Sequence, residues 1–182
     1  MKSRALDQWC KSLNGHDVGD YQLVEFVGAG KIGYVYRGKH RKFPDLPCAV
    51  KLVFDDLKAG WDVEIKKVAK LALIDGVVHF HHVGSETLTH QGQSHLAQYT
   101  VWDFIPPGEN LRAYLKRVQP VPTSFLVAVA EQVLRVHNAC EETGVSRHGD
   151  LHSGNILIGR PSSANLDDTL ARIIHERAEN DH

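Results

Sequence analysis

The segment Gly28-Ala29-Gly30-Lys31-Ile32-Gly33-Tyr34-Val35 decides how this chain is read. An alternating apolar run, residues 21–28, leads into it, and a second run, residues 33–39, leads out. Both carry the aromatic and β-branched residues that suit strands. The glycines therefore join strand to strand. That excludes a dinucleotide-binding loop and a Walker loop, each of which opens a helix. Without Cβ atoms, glycines let backbone N–H groups come close to an anion. Taken alone, the segment reads equally as an ordinary glycine-rich hairpin.

Working outward, residues 46–54 (LPCAVKLVF) form a third apolar strand with Lys51 inside it. A lysine there is either an edge residue reaching water or a cation held for a ligand's phosphates. A helical pattern follows over 60–73, with Val63, Val68, Leu71 and Ala72 inward and Lys66, Lys67 and Lys70 outward. Glu64 on that helix is the candidate partner of Lys51, with Asp62 competing. Strands are expected over 77–84 and 94–105, joined by a polar loop over 85–93. Five successive strands and one helix suggest an antiparallel sheet in an α+β fold.

Pro106-Pro107-Gly108 then interrupts regular structure and serves as a joint. Beyond it helices are expected over 110–118 and 123–143. Thr123 or Ser124 would cap the second, and Gly144 would end it. Its apolar side (Phe125, Leu126, Val129, Val133, Leu134, Val136) is expected to be buried. The tail over 165–179 reads as an amphipathic helix using Leu166, Leu170, Ile173 and Ile174. At the other end, Leu6, Trp9, Cys10 and Leu13 lie at helical spacing. The division expected is a helix at 1–19, a sheet lobe at 20–105 and a helical part at 106–182.

The most specific motif is His148-Gly149-Asp150-Leu151-His152-Ser153-Gly154-Asn155, running into Ile156-Leu157-Ile158. Asp150 and Asn155 stand five residues apart in a loop that leads into an apolar strand. The aspartate suits the orientation or deprotonation of an attacking hydroxyl. The asparagine offers an oxygen to a hard cation such as Mg²⁺.

In this order of motifs the chain resembles the protein-kinase-like superfamily over residues 21–158. The resemblance implies an antiparallel five-stranded N-lobe with one helix and a truncated, mainly helical C-lobe. It implies ATP and Mg²⁺, with Asp150, Lys51 and Asn155 catalytic and Asn155 on the metal. Residues 28–35 would cover the phosphates: Gly28, Ala29, Gly30, Lys31, Ile32, Gly33, Tyr34 and Val35. Lys51 would be held by Glu64. Val27, Val35, Ala49 and Leu157 would enclose the adenine, backbone groups of Asp103 and Ile105 would meet its edge, and Glu109 would reach the ribose. Trp102 would fall at the gatekeeper position, either closing the back pocket or marking a register shift of one.

The sequence also departs from that family. His148-Gly149-Asp150 stands where His-Arg-Asp is usual, and His152 replaces a lysine. HGDLHSGN is closer to aminoglycoside and choline phosphotransferases. The Asp-Phe-Gly triplet, whose aspartate is the main Mg²⁺ ligand, is missing after Asn155. Asp167-Asp168 reads as the acidic start of a helix rather than a substitute. Three readings follow: a kinase acting on protein Ser/Thr, an inactive nucleotide- or protein-binding module, and a small-molecule kinase.

The balance of the composition narrows the partners. The formal net charge of −1 makes no electrostatic case for nucleic acid or a membrane surface. Three cysteines, none at CxxC spacing, argue against a disulfide framework and suit a reducing, cytoplasmic setting. His79, His81 and His82 read as a half-exposed strand rather than a metal site, with no carboxylate or cysteine in the same run. An incomplete C-lobe would leave an apolar patch able to bind a partner protein or a second copy.

Overall fold

The computed structural model describes residues 4–30, 33–54, 65–66, 69–71, 74–106, 109–144, 151–159 and 170–173. The chain divides into two compact units, residues 1–61 with 80–104, and residues 62–79 with 105–182.

The first unit is an α+β layer. Helix α1 (Arg4–Lys11) precedes six antiparallel strands: β1 (Asp17–Val18), β2 (Tyr21–Ala29), β3 (Tyr34–His40), β4 (Pro47–Phe54), β5 (Phe80–His90) and β6 (Gln93–Asp103). Their order in the sheet is β1-β2-β3-β4-β6-β5. All five expected strands are present, and β1 is a short addition that pairs with the start of β2.

Strand alternation sorts the sheet's two faces. Cys48, Val50, Leu52 and Phe54 of β4 point to one side with Tyr34, Tyr36, Ala97, Tyr99 and Val101. Trp9, Cys10 and Leu13 of the N-terminal segment seal that side, so α1 is the lid of this core. Burying each such side chain contributes roughly 1.5–3 kcal/mol. Within this layer, burial pushes the Cys48 thiol up to about 11 and raises the Tyr36 phenol well above its usual range.

The expected polar loop over 85–93 is not a loop. Strand β5 runs to His90, and only Gln91 and Gly92 form the turn. Both have positive φ, 51° and 74°, the backbone of a type I′ hairpin. Leu88 is buried in the core and Thr89 Oγ1 lies 2.8 Å from Ser94 Oγ. Polar side chains on the outer face had disguised a half-buried strand.

The second unit contains α2 (Leu111–Arg117), α3 (Thr123–Glu142) and a small sheet of β7 (Glu109–Asn110), β8 (Ile156–Gly159) and β9 (Leu170–Ile173). Residues 65–66 and 69–71 are helical, with Leu71 buried and Lys66 and Lys70 exposed, as their spacing predicts. Val63, Glu64, Lys67, Val68 and Ala72 lie outside the described residues. Leu71, Ile74, Val77, Leu111, Val129, Val136, Ile156 and Ile158 form the core.

Three local expectations change here. First, Leu170–Ile173 is a strand, not part of a helix over 165–179, because Ile156 pairs with Ile173 and Gly159 with Leu170. A run of four residues takes its conformation from the edge it meets, not from its spacing. Second, neither Thr123 nor Ser124 caps α3. Pro122 holds the cap position without a side-chain hydrogen bond. Third, α3 buries only Val129 and Val136 fully, while Leu126 is 45%, Val127 50% and Leu134 60% exposed. The helix does end as expected, at Gly144 with φ 75°.

Candidate functional site

The first unit builds a second face on its sheet, opposite the core. Lys51 is paired across β4 with Val35 on one side and with Thr100 on the other. Partners directly opposite in an antiparallel ladder share a face. Gly28 pairs with Val35, so one row reads Gly28, Val35, Lys51, Thr100. The next row on that face holds Ala49 beside Trp102.

Lys51 is only 8% exposed. An ammonium so far from water requires hydrogen-bonding partners. The residue expected to pair with it, Glu64, lies outside the described residues. Thr100 is 1% exposed and its hydroxyl accepts from the Trp102 indole N–H at 2.9 Å. Trp102 also packs edge-on against Phe80, with ring centroids 5.3 Å apart. The indole thus fills its end of the face. Thr100 was not among the expected site residues, although counting the alternation of β6 back from Trp102 puts it in the Lys51 row.

The glycine segment forms the hairpin that the sequence suggests. Gly30 N–H donates to the Gly33 carbonyl at 3.0 Å across the turn. Lys31 and Ile32 lie outside the described residues. A Cβ on Gly33 would stand 2.6 Å from the Leu52 carbonyl oxygen, so only glycine lets β3 lie this close to β4. Ala29 pairs with Tyr34 at the hairpin's base. Tyr34 itself is fully buried on the core side, which leaves its backbone as its part of any ligand site. Val27 is 51% exposed at a register shift in β2. Val35 and Ala49 are half-buried. These three offer apolar surface on the glycine-rich side.

Asp103 ends β6 opposite Cys48. Its carboxylate meets His81 Nε2 at 2.6 Å, a pair that local sequence spacing does not reveal. Arg37 lies over the Phe104 ring at 5.5 Å.

The second unit carries the other expected residues. His148, Gly149 and Asp150 lie outside the described residues. Asn155 is 3% exposed, and its N–H donates to the His152 carbonyl at 2.9 Å. Gly154 N–H donates to His152 Nδ1, also at 2.9 Å. His152 therefore shapes the turn that presents Asn155. Arg112 N–H donates to the Ser153 carbonyl and ties this turn to the start of α2. Leu157 is half-buried and pairs with Asn110, and Ile158 pairs with Glu109. The Glu109 carboxylate is held in a fork by Arg117, at 3.0 and 2.7 Å, so a ribose would have to compete for it. The same pair raises the Arg117 guanidinium further. Ile105 is half-buried at the start of this unit.

Among the described residues, no group of three or more His, Cys, Asp or Glu side chains could hold a metal ion. The Asn155 carboxamide supplies one hard oxygen donor. That donor type suits Mg²⁺, which takes most of its ligands from phosphates and water. Among the described residues, no helix is long and apolar enough to cross a membrane.

Solved structures that share this fold include two of the kinase domain of PknI from Mycobacterium tuberculosis. A double-mutant form superposes with a TM-score of 0.68 at 17% identity, covering 89% of this chain and 60% of that one. A single-mutant form gives 0.65 at 18% identity, covering 89% and 61%. The chain therefore spans about three fifths of the kinase domain it matches. No protein-family model matches it.

Proposed function

Because the chain carries a protein-kinase-like fold, we propose that it binds ATP on the Lys51 face and transfers a phosphoryl group to a hydroxyl, most simply of a protein serine or threonine. One observation carries the reading: a lysine 8% exposed stands directly opposite Val35, at the base of a glycine hairpin. A lysine at that place on the sheet can lend its charge to a polyphosphate.

In this reading the N–H groups of the 28–33 turn and the Lys51 ammonium hold the phosphates. Val27, Val35, Ala49 and Leu157 enclose the base, with Trp102 closing the back of its pocket. The backbone of Asp103 and Ile105 meets the base's edge. Glu64 orients Lys51, Asp150 takes the acceptor hydroxyl's proton, and the Asn155 oxygen holds Mg²⁺. Bound there, Mg²⁺ would supply positive charge against the transferred group. The protein's own share is position and fixed charge, the largest contributions in this chemistry. A cytoplasmic setting and a protein acceptor belong to the same proposal.

Lys51→Met and Asp150→Asn are each expected to abolish transfer of labelled phosphate from ATP. Undiminished transfer in both variants would falsify the reading. A second reading is favoured by a specific absence: no Asp-Phe-Gly follows Asn155. The chain would then hold nucleotide, or a partner protein, without turnover. Thermal unfolding separates the two. Mg-ATP at about 100 times Kd adds roughly 2.7 kcal/mol, and stabilisation without transfer marks the binding module.

A further inference from the structure

The six-stranded sheet has two unequal edges. At one, β1 is only 2 residues long. At the other, β5 runs for 11 residues and is hydrogen-bonded on one side only, to β6. Short edge strands, and lysine or proline on an edge, keep sheets from joining one another. From His82 to His90, β5 has neither lysine nor proline. Its bulge lies before that stretch, between Phe80 and His82.

The turn at Gln91 and Gly92 makes His90 and Gln93 a hydrogen-bonded pair. In an antiparallel ladder such pairs alternate with non-bonded ones. Leu88, Glu86, Gly84 and His82 therefore commit their backbone groups to β6. Val83, Ser85, Thr87 and Thr89 turn theirs toward the open edge. Among the described residues, no backbone group pairs with them on that side. Ser85 and Thr87 are exposed, and Val83 is 39% exposed. Outward N–H and C=O groups in a row fit one kind of ligand, another extended strand.

We propose that this edge pairs with the same edge of a second copy of the chain, antiparallel about a two-fold axis at Ser85. An isologous contact needs only one such edge, used twice. The residues of the edge then select the register. An axis at Glu86 would set two carboxylates directly opposite, which is destabilising. An axis at Thr87 would set Glu86 against Leu88, which is buried in its own core. With the axis at Ser85, residues 82–88 of the two copies match. Val83 then faces Thr87, a pair of β-branched side chains, and Ser85 faces Ser85. Gly84 faces Glu86 and has no side chain to crowd its carboxylate, which already accepts the Gly19 N–H of its own chain. Every outward N–H and C=O of Val83, Ser85 and Thr87 meets a partner in this register. The contact lies wholly within the first unit and does not depend on the nucleotide reading.

The test uses the full chain. Sedimentation velocity is expected to show monomer giving way to dimer at about 10–100 µM, the weak association that so small a contact supports. Ser85→Lys sets two ammonium groups opposite each other and should weaken the dimer at least about tenfold. Because Ser85 is exposed, the unfolding midpoint of the dilute variant should stay within about 2 °C of the parent. Glu86→Gln should change the dimer constant by less than about threefold. In a Cys140→Ser background, Ser85→Cys is expected to form a disulfide between copies under mild oxidation, since bonded partners stand about 5.5 Å apart at Cα. Thr89→Cys, on the same face, is expected not to. A parent that stays monomeric at about 500 µM, a dimer that Ser85→Lys leaves intact, or equal cross-linking at 85 and 89 would overturn the proposal. So would a dimer that Glu86→Gln tightens more than about tenfold, which would put the axis at Glu86. A monomeric parent whose edge takes up an extended peptide would assign the edge to another protein's strand and remove the second copy as its occupant.

Discussion

The two units treat their apolar residues differently. In the first, the core face of the sheet is sealed by a helix from the far end of the same unit, with Trp9, Cys10 and Leu13 at 4%, 0% and 0% exposure. In the second, the longest helix buries one side and leaves a stripe open: Leu126 and Leu134 are eight residues apart on the outer side, with Val127 beside them. The contrast shows two ways in which an apolar sequence pattern is resolved. A strand pair forces its alternation on every residue, so each apolar side chain acquires a definite face. A helix with apolar residues all round can satisfy only the arc that meets a neighbour.

Three variants test that contrast. The largest effect is expected at the lid. Trp9→Ala removes the indole from between Phe54 and His95 and should cost about 3–5 kcal/mol in denaturant unfolding. A loss below about 1 kcal/mol would mean that the first unit does not depend on α1 for closure.

Next comes a turn in the second unit. Gly76 has φ 89°, and a Cβ there would meet Gln132 and Val136 of α3, the latter at 2.7 Å. The bond from Val77 N–H to the Ile74 carbonyl and the positive φ at the third residue fit a type II turn. Gly76→Ala should destabilise by about 1–3 kcal/mol, read as a lower urea midpoint at unchanged slope. A neutral result would show that 74–77 and α3 are not packed as described.

The smallest effect is expected on the open stripe. Leu126→Ser with Leu134→Ser should change stability by no more than about 0.5 kcal/mol. A loss above about 1.5 kcal/mol would show the stripe covered in solution, and the two units would then be closed alike.

Much of this was legible residue by residue. The glycine hairpin, the Lys51 strand, the Asn110 start of α2 and the Gly144 end of α3 are local matters. Each depends on backbone freedom, capping or alternation within a few neighbours. Asn110 caps because its side-chain oxygen reaches the Ala113 N–H at 2.9 Å, three residues away. The strand over 85–90 was not legible, since its residues are mostly polar and only Leu88 among them is buried. Nor was β9, whose conformation comes from β8 rather than from its own four residues.

The site divides along the same line. That Lys51 is a cation set in an apolar strand, and that Asn155 precedes an apolar strand, is written in the order of residues. That Lys51 shares a row with Gly28, Val35 and Thr100 needs the pairing of four strands. That Glu109 is engaged by Arg117, Asp103 by His81, and Tyr34 by Asp7 needs contacts across 8, 22 and 27 positions. Local sequence determines which backbone shapes are cheap. Which side chains meet across such distances is decided only when the whole sheet closes, because burial and pairing free energies belong to the assembled layer and not to any one segment of it.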